Sequence, residues 1–132
     1  MTEKIKPRVL VIDDEESIRI WIKGLLVSLG CEVVGEAENG QKGVELFKRE
    51  RPDLVLLDLQ MPVMTGSEAL DYILDEDRDA YVIILTSVTD AKAIINDLMA
   101  GARQFLPKHD PPEKIRAALA DWIGELKSEA QR

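Results

Sequence analysis

The sequence is short of the residues that build dedicated catalytic and structural centres. It contains one cysteine, Cys31, and one histidine, His109. A lone cysteine makes no internal disulfide and suits a reducing compartment; at the head of an apolar stretch it reads as a small core residue, not a reactive thiol. A lone histidine excludes the His/Cys clusters of zinc sites, and no Ser-His-acid arrangement can be drawn from it. Positive charge is also in deficit: 17 Lys plus Arg against 25 Asp plus Glu leave a formal net charge of -8. That field repels nucleic acid phosphates and anionic membrane surfaces, so direct binding to either is not expected of this segment. No apolar run approaches the roughly 20 residues needed to span a bilayer, and the leading MTEKIKPR has no apolar targeting core; a cytoplasmic protein is expected. Gly35, Gly40 and Gly43 do not form a G-x-G-x-x-G run after the first strand, and G-x-x-x-x-G-K-[ST] does not occur. Dinucleotide and nucleoside-triphosphate folds are thereby disfavoured.

What is present is a repeated alternation of short β-branched runs with longer segments of helical period, the pattern of βα units around a parallel sheet. Five such units follow from residue 9, and 132 residues at 45% hydrophobic suffice for one core-forming domain. No linker, low-complexity tract or further repeat divides the chain, so residues 1–132 are expected to form a single α/β domain. The strands are read as VLVID (9–13), EVVGEA (32–37), DLVLLDL (53–59), YVIILTS (81–87) and QFLPK (104–108).

The first helix runs from Glu16 to Leu29, with Ile18, Ile22, Leu25, Leu26 and Leu29 at helical spacing and Gly30 as its stop. A second leads through Asn39 and Gly40 to near Arg51, where Pro52 ends it. A third, SEALDYILDE, follows the loop QMPVMTG. The fourth starts at a cap, Asp90, carries Ile94, Ile95, Leu98 and Met99, and closes at Gly101. The last begins after Pro111 and Pro112, lines Ile115, Leu119, Trp122, Ile123 and Leu126 along one face, and ends in a charged tail, KSEAQR, expected to fray. Trp21 reads as a core-edge aromatic and Trp122 as pointing inward.

In an open parallel sheet, ligands bind outside the C-terminal ends of the strands. Those ends carry Asp13 and Asp14 on the first strand, Asp58 on the third, Thr86 and Ser87 on the fourth, and Lys108 on the fifth. A carboxylate such as Asp58 within the most apolar run needs a partner, because burying an unpaired polar group costs about 2–7 kcal/mol and a charge more. Three carboxylates in one crevice require raised pKa values or a cation, and the cation is the simpler answer. An all-oxygen donor set selects a hard ion such as Mg2+. With an ammonium from Lys108 and a hydroxyl from Thr86, the set suits a phosphoryl group handled by charge and position. Taken singly, Asp14 suits a helix N-cap, Lys108 an exposed lysine and Thr86 an ordinary strand residue; their joint placement favours the phosphoryl site.

With these residues placed, the chain resembles the receiver domain of bacterial two-component response regulators, the family that includes the chemotaxis response regulators. The likeness spans about Pro7 to Glu129 and rests on VLVIDDE, DLVLLDLQMPVMTG, IILTS and GARQFLPK, in that order and spacing. It implies a flavodoxin-like, doubly wound sheet of five parallel strands in the order 2-1-3-4-5, flanked by five helices. It further implies Asp58 as phosphoacceptor, and a Mg2+ site of Asp13, Asp14, Asp58 and the backbone carbonyl of Gln60. Thr86, with Ser87 beside it, corresponds to the switch hydroxyl, Phe105 to the switch aromatic and Lys108 to the phosphate-binding lysine. Two departures stand out. Lys108 is followed by His109 where the family usually has proline, often after a cis bond. A non-proline cis bond costs about 2.5–4 kcal/mol, so either a trans bond with a repositioned loop or a strained cis bond is expected. Phe105 stands where tyrosine is common, which removes a hydroxyl but keeps an aromatic ring.

The resemblance implies a switch rather than a turnover enzyme. A histidine kinase or histidine phosphotransfer protein would supply the phosphoryl group, and water would later remove it. A downstream effector protein or a fused output domain would read the face formed by the fourth helix, the fifth strand and the final helix. Two other classes are compatible with the residues. One is a pseudo-receiver that binds partners without phosphorylation, encouraged only by His109. The other is a small Mg2+-dependent phosphatase working through an aspartyl phosphate, for which the short loops offer little material to build a substrate pocket.

Overall fold

The computed structural model describes residues 6–87 and 90–130. Strands and helices alternate: β1 Arg8–Ile12, α1 Glu16–Ser28, β2 Glu32–Ala37, α2 Gly40–Glu50, β3 Leu54–Leu57, α3 Gly66–Glu76, β4 Val82–Thr86, α4 Ala91–Ala100, β5 Gln104–Pro107 and α5 Pro112–Ala130. All strand pairs are parallel, and the sheet order is β2-β1-β3-β4-β5, as the resemblance implies. Leu10, Ile12, Val55, Leu57, Val82 and Ile84 face α2 and α3 on one side. Val9, Val11, Leu54, Leu56, Ile83 and Leu85 face α1 and α5 on the other. Covering both faces is what turns these strands into unbroken apolar runs. The sheet grows outward from β1 in both directions, so the crevice of the topological switch point opens between the C-terminal ends of β1 and β3.

Local signals set the helix starts. Asn39 caps α2 by accepting from the Lys42 amide, and Asp90 caps α4 by accepting from the Lys92 amide. Thr65 and Glu68 form a reciprocal capping box at α3 that the sequence reading did not single out. Trp122 is buried in the α1–α5 layer, Trp21 lies at its edge, and Cys31 is a buried core residue there.

Two expectations need correction. Strands β3, β4 and β5 are shorter than the apolar runs suggested and β1 starts and stops one residue earlier, so Asp13, Asp58, Ser87 and Lys108 fall just beyond strand ends. The tail expected to fray continues α5 to Ala130, since Lys127–Ala130 contain no helix breaker; residues 131–132 lie outside the described residues. In α4, the apolar residues Ile95, Leu98 and Met99 are exposed, and Asp97 is buried instead.

Candidate functional site

Ile12 lies opposite Leu57 in the β1–β3 ladder, so the residues that follow, Asp13 and Asp58, emerge side by side. The Asp13 amide donates to the Ala37 carbonyl and the Asp58 amide to the Ile12 carbonyl, each at 2.9 Å. These bonds fix the backbone one residue beyond the strands, and both aspartates are 3% exposed. Asp14 follows in an exposed position. One carboxylate oxygen from each of Asp13, Asp14 and Asp58 lies within 4.8 Å of the others. That spacing and the all-oxygen donor set suit a hard divalent ion that keeps water in its coordination shell.

Lys108 enters from β5. Its amide donates to the Thr86 carbonyl at 2.9 Å, extending the β4–β5 ladder. Its Nζ lies 2.8 Å from Asp13 Oδ2 and 3.1 Å from both Asp58 Oδ2 and Glu15 Oε1. Burial works against the ammonium, yet the hydrogen bond to Asp13 and the charges of Asp58 and Asp13 outweigh it and hold Lys108 above the ordinary lysine range. Burial is the largest influence on Asp13 and pushes its carboxyl up, with Asp58 adding repulsion; Lys108 and the Glu15 amide oppose that rise without cancelling it. Lysine reaches this position through a trans bond to His109, since no cis peptide occurs among the described residues. A turn in which the Asp110 amide donates to the Pro107 carbonyl at 3.1 Å then carries the chain to α5.

The back of the site is the loop between β3 and α3. The Gly66 amide donates to the Leu59 carbonyl at 2.9 Å, and a Cβ on Gly66 would lie 2.0 Å from the Asp58 carbonyl oxygen. Only glycine fits against that backbone. Gln60 is exposed, and its amide lies 3.4 Å from Asp58 Oδ1. Thr86 is completely buried at the end of β4. Alternation puts it on the same sheet face as Ile84, which pairs with Phe105; Phe105 is partly buried against the core on that face. Ser87 is exposed in the bend that follows β4.

The structure thus brings Asp13, Asp14, Asp58 and Lys108 together, puts Thr86 one ladder bond away, and leaves Ser87 facing solvent. Two further participants escaped the sequence reading. Glu15 pairs with Lys108, and its only signal was a third acid after Asp13 and Asp14. Arg19 donates from Nη1 to the Asp13 carbonyl at 2.7 Å while its Nε pairs with Glu36 at 3.0 Å, so α1 steadies the acidic turn.

Comparison with known proteins agrees with this fold. Residues 9–120 match the family model of the response regulator receiver domain. The chain is similar to the chemotaxis protein CheY of Thermotoga maritima, 36% identical over 112 residues, which cover 85% of this chain and 93% of that protein. It is 38% identical over 112 residues to the chemotaxis protein CheY of Bacillus subtilis, with the same coverage of 85% and 93%. Among solved structures, it is similar to a chain of the CheX–CheY–BeF3–Mg complex from Borrelia burgdorferi, with a TM-score of 0.82, 26% identity, and coverage of 92% of this chain and 90% of that one.

Proposed function

The chain belongs to the response regulator receiver domain family, and from that premise we propose that it is a switch that accepts a phosphoryl group on Asp58. The observation that carries this reading is a buried carboxylate, Asp58, with the Lys108 ammonium at 3.1 Å and two more carboxylates converging on the same edge. Asp13 and Asp14, with Asp58 and the Gln60 carbonyl, would hold Mg2+ directly or through water. When bound, Mg2+ offsets charge on the carboxylates and on the phosphoryl oxygens. A similar chain was solved in a CheX–CheY complex with BeF3 and Mg, which supports a fold that works with an anion and a divalent cation.

In the transfer step, an Asp58 carboxylate oxygen attacks the phosphorus of a phosphohistidine presented by a histidine kinase or histidine phosphotransfer protein. The O–P bond forms as the N–P bond breaks, and the electron pair leaves on the imidazole. Lys108 stabilises charge on the transferring oxygens from a position it already occupies. The product adds roughly one to two negative charges at the strand edge. These draw the Thr86 hydroxyl inward and open space on the face it shares with Phe105. The change biases the surface of α4, β5 and α5, which a downstream effector or fused output domain reads. Water later cleaves the acyl phosphate, so the domain resets itself instead of turning over a substrate. Residues 1–132 act as one receiver domain in the cytoplasm; among the described residues no helix is long and apolar enough to cross a membrane. The pseudo-receiver reading rested on His109, and Lys108 reaches both buried carboxylates from the trans bond, so His109 no longer favours it.

The test is intact mass after incubation with acetyl phosphate, with and without Mg2+, on the native protein and on Asp58→Asn. A Mg2+-dependent, hydroxylamine-labile adduct absent from the variant is the expected result. No adduct, together with no binding of Mg2+ or beryllofluoride, would overturn the proposal.

A further inference from the structure

Helix α4 is attached to the domain by a different kind of contact from the other helices. Ile95, Leu98 and Met99 are 52%, 38% and 83% exposed, and Ile94 packs only in part against the core. The one residue α4 buries is a carboxylate, Asp97, 5% exposed. Asp97 Oδ2 accepts the Ser67 hydroxyl at 3.0 Å. The Asp97 carbonyl accepts the amides of Gly101 at 3.2 Å and Ala102 at 3.0 Å, in the turn that leads into β5. One residue therefore joins α4 to α3 through its side chain and closes the turn between α4 and β5 through its backbone.

Ser67 sits next to Gly66, which leaves no space for a Cβ between itself and the Asp58 carbonyl. A continuous line of contact runs from the backbone of Asp58 through Gly66 and Ser67 to Asp97. Loss of water disfavours the Asp97 carboxylate, and Asp71 on α3 adds repulsion; the Ser67 hydroxyl opposes both, and the balance leaves the group raised above the usual carboxylate range. A leucine at position 97 would hold the helix by apolar burial alone, which is not directional. A hydrogen bond depends steeply on distance and angle, so small displacements of the loop make or break it.

We propose that Ser67 and Asp97 are positioning residues of the switch: their hydrogen bond ties α4 to the first turn of α3, beside the loop behind Asp58, so that movement of that loop on phosphoryl transfer passes to α4 and to the turn before β5. This deepens the receiver reading and rests on it.

Hydrogen–deuterium exchange over residues 91–100, measured on the full chain, tests the two links separately. Without a phosphodonor, Ser67→Ala is expected to speed α4 exchange about tenfold over native while leaving α2 unchanged, the size of effect that loss of one hydrogen bond gives a locally opening helix. Asp97→Asn keeps an oxygen to accept from Ser67 and is expected to stay within about twofold of native. Equal α4 exchange in Ser67→Ala and native overturns the anchor. With acetyl phosphate and Mg2+, at matched Asp58 adduct by intact mass, the α4 response of Ser67→Ala is expected to fall to less than about half the native response. An undiminished response overturns the coupling, even if the anchor holds. If native protein forms no adduct and binds neither Mg2+ nor beryllofluoride, the receiver reading fails, and with it the coupling, while the donor-free comparison still decides the anchor.

Discussion

Replacing Lys108 by methionine removes the ammonium that pairs with Asp13 and Asp58 while keeping an unbranched side chain of similar reach. Asp13 at 2.8 Å and Asp58 at 3.1 Å, with side chains 4% and 3% exposed, are then left facing each other. Removing one partner of a buried ion pair costs about 3–5 kcal/mol, a large part of the roughly 5–15 kcal/mol that holds a domain. The exposed contact to Glu15 adds little. At about 3–5 °C per kcal/mol for a chain of this size, the melting temperature in Mg2+-free buffer at pH 7.5 should fall by about 10–20 °C. The pH dependence has a definite sign. In the native protein the raised Lys108 contributes fully below about pH 10.5 and loses its contribution only as pH rises through its folded value. In the variant, Asp13 loses the partner that opposed its rise. The folded state then binds more protons than the unfolded one, so stability increases as pH is lowered from 7.5 toward the ordinary carboxylate range and the deficit narrows. Mg2+ at about 100 times its dissociation constant should return about 2.7 kcal/mol. Thermal and urea unfolding followed by circular dichroism, from pH 5 to 8 with and without Mg2+, measures all of this. A variant as stable as native in Mg2+-free buffer at pH 7.5, or one that loses stability as pH falls from 7.5 to 5, would refute the electrostatic account.

Two further substitutions probe the loop behind the site. Val63 is 76% exposed and has φ 71, a left-handed conformation that strains a β-branched residue by about 1–2 kcal/mol; after the entropy that glycine loses on folding, Val63→Gly should stabilise by about 0.5–1 kcal/mol, seen as a melting temperature about 2–5 °C higher. Gly66→Ala would press a Cβ to 2.0 Å from the Asp58 carbonyl oxygen, so it should destabilise by about 1–3 kcal/mol or more. By displacing Asp58, it should also slow adduct formation from acetyl phosphate by more than about tenfold in a time course read by mass.

Much of the fold was legible because its signals are local. The strands are covered on both faces and so appear as apolar runs, and Asn39 and Asp90 announce helix starts by their own side chains. The acidic edge was legible for a related reason: once strands are assigned, parallel topology sends their C-terminal ends to one side, and Asp13, Asp58 and Lys108 go with them. Asp97 was not legible. In a helix that also carries Ile94, Ile95, Leu98 and Met99, an aspartate reads as solvated, and only the position of Ser67 on α3 explains why that face turns inward. Glu15 was missed because an acid beside two others looks like part of a helix start until Lys108 is seen to reach it from 93 residues away.

The sequence by itself determined which elements form, in what order, and which polar residues arrive at the strand ends, because periodicity and capping act over a few residues. Only the tertiary structure decided that Lys108 touches three carboxylates, that α4 buries an aspartate bonded to Ser67, and that Val63 takes positive φ. Each of those depends on how whole elements pack against one another, and packing is a property of the assembled chain that no short stretch of residues carries.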